Sequence, residues 1–210
     1  GYLIINSDGK VKFVTPRIYL SADRTVPKGK QETSKHIQYL DKCEQAIIFG
    51  SLGNAYRFNP DIIMENNWKD EGYNLCDLVK EAPIEEKAVF SITINADNKD
   101  KDMFFFTKEG MVKRSVLSEY DVCKDFFQVC VLKEGDEIIN AELIREDAGI
   151  VFVTSDGMCI NTEITEFPSQ GRRASGVIGV SLNDGEQVVF AGFNDLEYGE
   201  AIGELVLITD

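Results

Sequence analysis

The chain holds one histidine and one tryptophan, no Cys-x-x-Cys pair, and no run of apolar residues near membrane-spanning length. A lone His36 supports neither a Ser-His-Asp nor a Cys-His nucleophile system, and it is expected at the surface. Five cysteines (Cys43, Cys76, Cys123, Cys130 and Cys159) are an odd number. They are spaced too widely for a zinc site or a disulfide framework, so reduced thiols in a cytoplasm are expected. A membrane helix needs roughly 20 apolar residues, so no membrane span is expected. The N-terminus lacks the basic and apolar regions of a signal peptide. It also lacks an initiator Met, and a piece of a longer chain is expected. Gly-rich phosphate loops are missing. The stretch from Asn98 to Glu109 imitates a calcium loop, but Met103 stands where that loop requires Gly. Catalysis, cofactor and metal are therefore not expected of this chain.

What is present is a repeat. Hydrophobic residues make up 43% and charged residues 28% of the chain, a balance typical of a globular protein. One unit recurs as GYLIINSDGKVKFV from Gly1, QAIIFGSLGNAYRF from Gln45, DMFFFTKEGMVKRS from Asp102 and GIVFVTSDGMCINT from Gly149, with GELVLITD opening a fifth copy at Gly203. Each complete copy runs from an apolar segment into a polar turn ending in Gly9, Gly53, Gly110 or Gly157, and then into a second alternating segment. Glycine supplies the positive φ of a tight hairpin turn, and β-branched and aromatic flanks favour strands. Each unit reads as a β-hairpin.

The turn glycines are 44, 57 and 47 residues apart, about the size of a four-stranded propeller blade. Further strands are expected at Ser91–Asn95 and Asp136–Ile144. A pair, Gly176–Leu182 and Gln187–Phe193, is expected around the turn Asn183-Asp184-Gly185. Thr25–Lys35 reads as a loop. Residues 66–87 read as an acidic insertion with a short helix near Leu75–Glu81. No sustained 3.6-residue period and no βαβ alternation occur. The expected architecture is one all-β domain over residues 1–210, with four blades and the start of a fifth, neighbouring blades completing each other's core. Trp68 and Phe104–Phe106 are expected in that core.

The net charge is −14, which opposes a polyanionic partner, since phosphate contact favours a basic surface. Its distribution is uneven. Residues 1–35 carry seven Lys/Arg against three acids, whereas residues 174–210 carry seven acids and no Lys or Arg. One end could meet a polyanion and the other would repel it.

The segments MFFFTKEGMVKRSVLSEY (103–120) and IVFVTSDGMCINTEITEF (150–167), and FPSQGRRASGVIGVSL from Phe167, resemble the repeats of the C-terminal domain of the A subunit of bacterial type IIA topoisomerases, gyrase A and topoisomerase IV A. The resemblance spans nearly the whole chain. It implies a β-pinwheel, a propeller-like disc whose blades exchange strands, with duplex DNA bent around a basic rim. It further implies three things: a cytoplasmic, nucleoid-associated setting, a partner that carries the ATPase, and a DNA-cleaving tyrosine in the remainder of the gyrase A or topoisomerase IV A chain. Gyrase A carries a box reading Gln-Arg-Arg-Gly-Gly-Lys-Gly. Here Gln170-Gly171-Arg172-Arg173-Ala174-Ser175-Gly176 has an extra Gly after the Gln, and Ser175 in place of Lys. That departure points to a topoisomerase IV-like or divergent gyrase-like protein rather than a strongly supercoiling one.

Eight cations are candidate phosphate contacts. Lys10 and Lys12 share a strand face, and Arg17 follows Pro16 nearby. Lys113 and Arg114 follow the third turn on opposite faces. Arg172 and Arg173 sit in a Gly-rich turn where backbone N–H groups and guanidinium forks can both meet phosphate oxygens. Arg57 is the second repeat's one cation. The expected DNA path crosses the N-terminal blades and the Arg172–Arg173 turn and avoids residues 183–210. The alternative to duplex DNA is a propeller-type protein-interaction module, favoured by the overall acidity.

Overall fold

The computed structural model describes residues 1–22, 34–41, 44–60, 65–145 and 148–194, and the backbone of 196–197 and 200–201. The fifth repeat at Gly203, and all of the Thr25–Lys35 loop except Ser34 and Lys35, lie outside the described residues. The four complete repeats each fold as an antiparallel hairpin: β1 (Tyr2–Asn6) with β2 (Val11–Val14), β4 (Ala46–Gly50) with β5 (Asn54–Phe58), β7 (Asp102–Thr107) with β8 (Met111–Val116), and β11 (Gly149–Thr154) with β12 (Cys159–Glu163). The four turn glycines all have φ between 81° and 83°, a conformation that costs other residues roughly 1–2 kcal/mol.

A third strand joins the first strand of each hairpin: β3 (Ser34–Tyr39), β6 (Ala88–Ile92), β10 (Ile138–Leu143) and β14 (Val188–Asn194). Ser34 and Lys35 thus open a strand instead of closing a loop. β6 begins three residues before the expected segment. Each of the last three strands follows a turn whose acid is buried: Glu86, Asp136 and Glu186. Glu86 accepts the Leu52 amide at 3.1 Å, the Asn54 side chain at 3.0 Å and the Tyr56 hydroxyl. Asp136 accepts the amide of Glu109 at 2.9 Å. These two acids close the hairpin turns of their own sheets. Glu186 accepts the Asn183 amide at 2.8 Å and bonds the Thr154 side chain of its own sheet's hairpin, and these bonds hold its carboxyl below the usual range.

A fourth strand comes from the wrong place in the sequence. β9 (Phe126–Gln128) follows the third hairpin yet pairs with β5 of the second. β13 (Val177–Ile178) follows the fourth hairpin yet pairs with β8 of the third, Val177 opposite Val112. The two middle sheets therefore read β6-β4-β5-β9 and β10-β7-β8-β13, flanked by three-stranded β2-β1-β3 and β12-β11-β14. This overturns the expected pairing of Gly176–Leu182 with Gln187–Phe193. The amides of Gly179 and Val180 bond the Gly110 carbonyl at 2.8 and 3.2 Å, so that segment lies along the third hairpin while Val188–Asn194 pairs with β11. In the first sheet the same slot holds a single bridge, Val11 opposite Tyr73.

Two helices are short. α1 (Pro16–Ser21), which the sequence pattern does not announce, is started by Pro16 and by Thr15, whose hydroxyl accepts the Ile18 amide at 3.3 Å. α2 (Leu75–Leu78) sits where a helix is expected. No helix among the described residues is long and apolar enough to cross a membrane.

Three buried apolar clusters lie between successive sheets. Phe105 meets Phe49 of the preceding sheet edge-on at 5.1 Å, and Phe106 meets Phe152 of the following one at 6.1 Å. Strands β3, β6, β10 and β14 stand side by side around a cavity of about 660 Å³. His36 faces it, half-buried against Phe90, and not at the open surface. Its Nε2 is 2.8 Å from the Ser91 carbonyl, and burial lowers its pKa to about 4.

Candidate nucleic-acid interface

The candidate cations fall into two groups. Alternation along a strand sends the residue three after each turn glycine inward and the next one outward. In the third sheet these are Lys113 and Arg114. Lys113 is 1% exposed. Its ammonium donates to the Tyr120 hydroxyl at 2.8 Å, the Arg172 carbonyl at 2.7 Å and the Val129 carbonyl. It lies 5.2 Å from the Tyr120 ring centroid and 5.6 Å from that of Phe105. Burial lowers its pKa to about 8. The same desolvation pushes the Cys130 thiol beside it up to about 11. A buried ammonium bonded to three internal acceptors is withdrawn from any phosphate outside.

Lys12 occupies the same place in the first sheet. It is 4% exposed and donates to the carbonyls of Trp68 at 2.9 Å and Asp70 at 3.3 Å, above the Trp68 ring. Lys10 also turns to this segment, pairing with Glu71 at 2.8 Å and Asp8 at 3.7 Å. The shared direction of Lys10 and Lys12 is therefore toward residues 68–71, an acidic stretch of their own chain. Arg17, on α1, is exposed.

Arg57 and Arg114, each four residues after a turn glycine, are also equivalent. Arg57 bonds the Val122 carbonyl and reaches Asp121 at 3.4 Å. Arg114 donates to the Phe167 carbonyl at 3.1 Å, is held by Asp102 at 2.6 Å, and lies over Phe104. Val122 and Phe167 each lie between a 3-10 turn (Leu117–Tyr120 and Ile164–Glu166) and an exchanged strand.

The Arg172–Arg173 turn is the exposed part of this arrangement. Within segment 167–176, residues 172–174 reach the seam between the second and third sheets. Gln170 donates its amide to the Arg114 carbonyl at 2.8 Å, and Val131 donates to the Ala174 carbonyl at 3.4 Å. Arg172 is half-buried, stacked 5.6 Å over Phe127 and bonded to the Gln128 carbonyl at 3.1 Å. Glu119 accepts its amide at 3.3 Å. Arg173 points into solvent. The fold thus gathers Lys113, Arg172 and Arg173 at the seam between the second and third sheets, sets Arg114 on the opposite face of the third sheet, and leaves Lys10, Lys12 and Arg17 on the first sheet and the helix that follows it. Sequence reasoning missed Glu119 and the backbone carbonyls that receive the cations. Parity alone does not mark Lys113 as interior, because Phe104, Phe105 and Phe106 on the facing strand are all buried.

The alternating blades and their exchanged strands define a propeller-like β-pinwheel. The model of the DNA gyrase C-terminal domain, beta-propeller family matches residues 101–124 and 150–193. The DNA gyrase A protein of Helicobacter pylori (strain ATCC 700392 / 26695) is 33% identical over 147 residues, covering 69% of this chain and 18% of that protein. The DNA gyrase A protein of Staphylococcus aureus (strain NCTC 8325 / PS 47) is 25% identical over 175 residues, 81% of this chain and 19% of that protein. Among solved structures, the C-terminal domain of DNA topoisomerase IV superposes with a TM-score of 0.76 at 21% identity, covering 93% of this chain and 61% of that one. The gyrase A C-terminal domain superposes with a TM-score of 0.60 at 15% identity, over 90% and 63%. The chain belongs to the DNA gyrase C-terminal domain, beta-propeller family. It spans less than a fifth of the gyrase A proteins it matches.

Proposed function

We propose that the chain is a single accessory domain that captures and bends duplex DNA for a type IIA topoisomerase, with no cleavage chemistry of its own. The rest of the gyrase A or topoisomerase IV A chain would supply the cleaving tyrosine, and a partner ATPase the energy, in a cytoplasmic, nucleoid-associated complex. The observation that carries this reading is the Arg172–Arg173 turn, fixed at a blade seam with Arg173 facing solvent, in a chain of this family. Capture would be electrostatic, by backbone contact with little base readout. Among the candidate cations, Arg17 and Arg173 face outward. Bending 20–30 bp costs on the order of 1–6 kcal/mol, offset by added phosphate contacts.

Affinity for a duplex of about 30 bp, followed from 50 to 200 mM salt, tests it. The slope of log affinity against log salt should be about −0.9 per phosphate neutralised. With few outward cations, the expected slope is shallow but clearly negative. Arg172→Glu with Arg173→Glu should weaken binding at least severalfold. A flat salt response, or insensitivity to that pair together with Arg17→Glu, would sink the proposal. The acidic balance of the chain would then favour a protein partner.

A further inference from the structure

We infer that the Lys-Arg pair after the third hairpin turn is a clamp on the exchanged strand rather than a phosphate contact, and that Lys113 is the positioning residue of the Arg172–Arg173 turn. Its effect on DNA rests on the function proposed above; the clamp itself does not.

Two observations converge. First, both side chains end on backbone carbonyls of segments that arrive from elsewhere in the sequence. Lys113 takes Arg172 and Val129, and Arg114 takes Phe167. Each of these segments borders an exchanged strand: Val129 follows β9, and the 167–172 stretch leads into β13. Second, the device recurs at equivalent positions. Lys12 takes two carbonyls of the segment leading to Tyr73, the residue that fills the exchange slot of the first sheet. Arg57 takes Val122, which leads to β9. An exchanged strand as short as Val177–Ile178 gives few ladder bonds, so its place needs fixing from outside the ladder.

The physical logic explains why a lysine is used. Three ammonium protons can meet three acceptors converging from β9, the 3-10 turn and the 170–174 turn at one point, which no apolar side chain can do. Once the Arg172 carbonyl is fixed inward, the chain direction at Arg173 is fixed outward. A rigid turn presents its cation without the ordering cost a loose one incurs on binding.

Trypsin and DNA titration on the full chain test the clamp together. In the native protein, cleavage after Arg172 and Arg173 should be at least tenfold slower than after Lys124, an exposed residue in a loop. Lys113→Met should abolish that protection while far-UV circular dichroism shows the sheets retained. Lys12→Met should leave protection at Arg172–Arg173 unchanged. For DNA, Lys113→Met should lower affinity severalfold without changing the salt slope, because no phosphate contact is lost. Arg173→Glu should reduce the slope by about 1. Equal native cleavage at Arg173 and Lys124 overturns the clamp even if Lys113→Met does not fold. So does a Lys113→Met protein that is still protected and has a reduced slope. If Lys113→Met frees the turn but Arg173→Glu leaves DNA affinity untouched, the clamp stands and the DNA reading fails.

Discussion

The third and fourth hairpins are near-copies in sequence and differ in what lies beside them. DMFFFTKEGMVKRS becomes the centre of a four-stranded sheet; among the described residues GIVFVTSDGMCINT is the side of a three-stranded one. β8 alternates between buried and half-buried residues, whereas β12 alternates between exposed and half-buried ones. The turn glycines have the same φ, yet a Cβ on Gly110 would meet the Val180 carbonyl oxygen at 2.7 Å, while one on Gly157 would meet nothing within 4 Å. The same local code therefore gives the same hairpin, and the exchanged strand decides how much of it is interior. It also decides the fate of the charges. Beside an exchanged strand, a lysine and an arginine become internal fasteners.

That comparison can be broken most directly at the turns. Gly110→Ala should cost about 3 kcal/mol, combining positive-φ strain with overpacking against Val180. Gly157→Ala should cost about 1 kcal/mol, from strain alone. Equal losses in chemical denaturation would mean that segment 177–180 does not pack on the third turn. Next come the residues two after each glycine. Val112 is buried opposite Val177, and Cys159 is exposed. Val112→Ala should destabilise by about 2 kcal/mol, through lost burial and a residual cavity. Cys159→Ala should stay within about 0.5 kcal/mol, as surface substitutions do. A comparable loss at both would show that β12 is covered.

A smaller effect is expected four residues after the glycines. Arg114→Met removes the bonds to Asp102 and the Phe167 carbonyl and should cost about 1.5 kcal/mol, while Asn161→Met, on the open edge, should be nearly neutral. The smallest difference is one of pH. Lys113 has its folded pKa lowered to about 8 from 10.5, so the unfolded chain binds the extra proton between those values and stability rises with pH there. Wild type should gain about 1 kcal/mol over Lys113→Met between pH 7 and 9. The groups around the ammonium are Tyr120, Cys130, Glu119 and Arg172. Cys130 acts oppositely, but only above its ordinary value of 9. Denaturant midpoints across that range measure the gain. Parallel curves for the two proteins would place the Lys113 ammonium in solvent.

The acidity of the chain follows the same lesson. Glu86, Asp136 and Glu186 are buried turn caps, and Glu71 is spent on Lys10. The formal charge of −14 thus overstates what a polyanion would meet at any one place, since exposed charges are screened beyond about 8 Å at physiological salt. The basic excess of residues 1–35 is likewise smaller at the surface than by count: Lys12 is interior and Lys10 is paired.

The sequence alone determined the four hairpins. Glycine at a positive-φ turn, apolar runs on one side and alternation on the other are local signals, and local sterics enforce them. It also determined the parity that sets Lys113 and Arg114 on opposite faces. Only the tertiary structure decided which face is covered. β9 and β13 are too short to announce themselves, and their partners lie 72 and 65 residues back in the chain, Phe127 against Ala55 and Val177 against Val112. Burial is a property of what arrives from elsewhere, so a lysine that reads as a rim cation in one dimension is, in three, a bond between two blades.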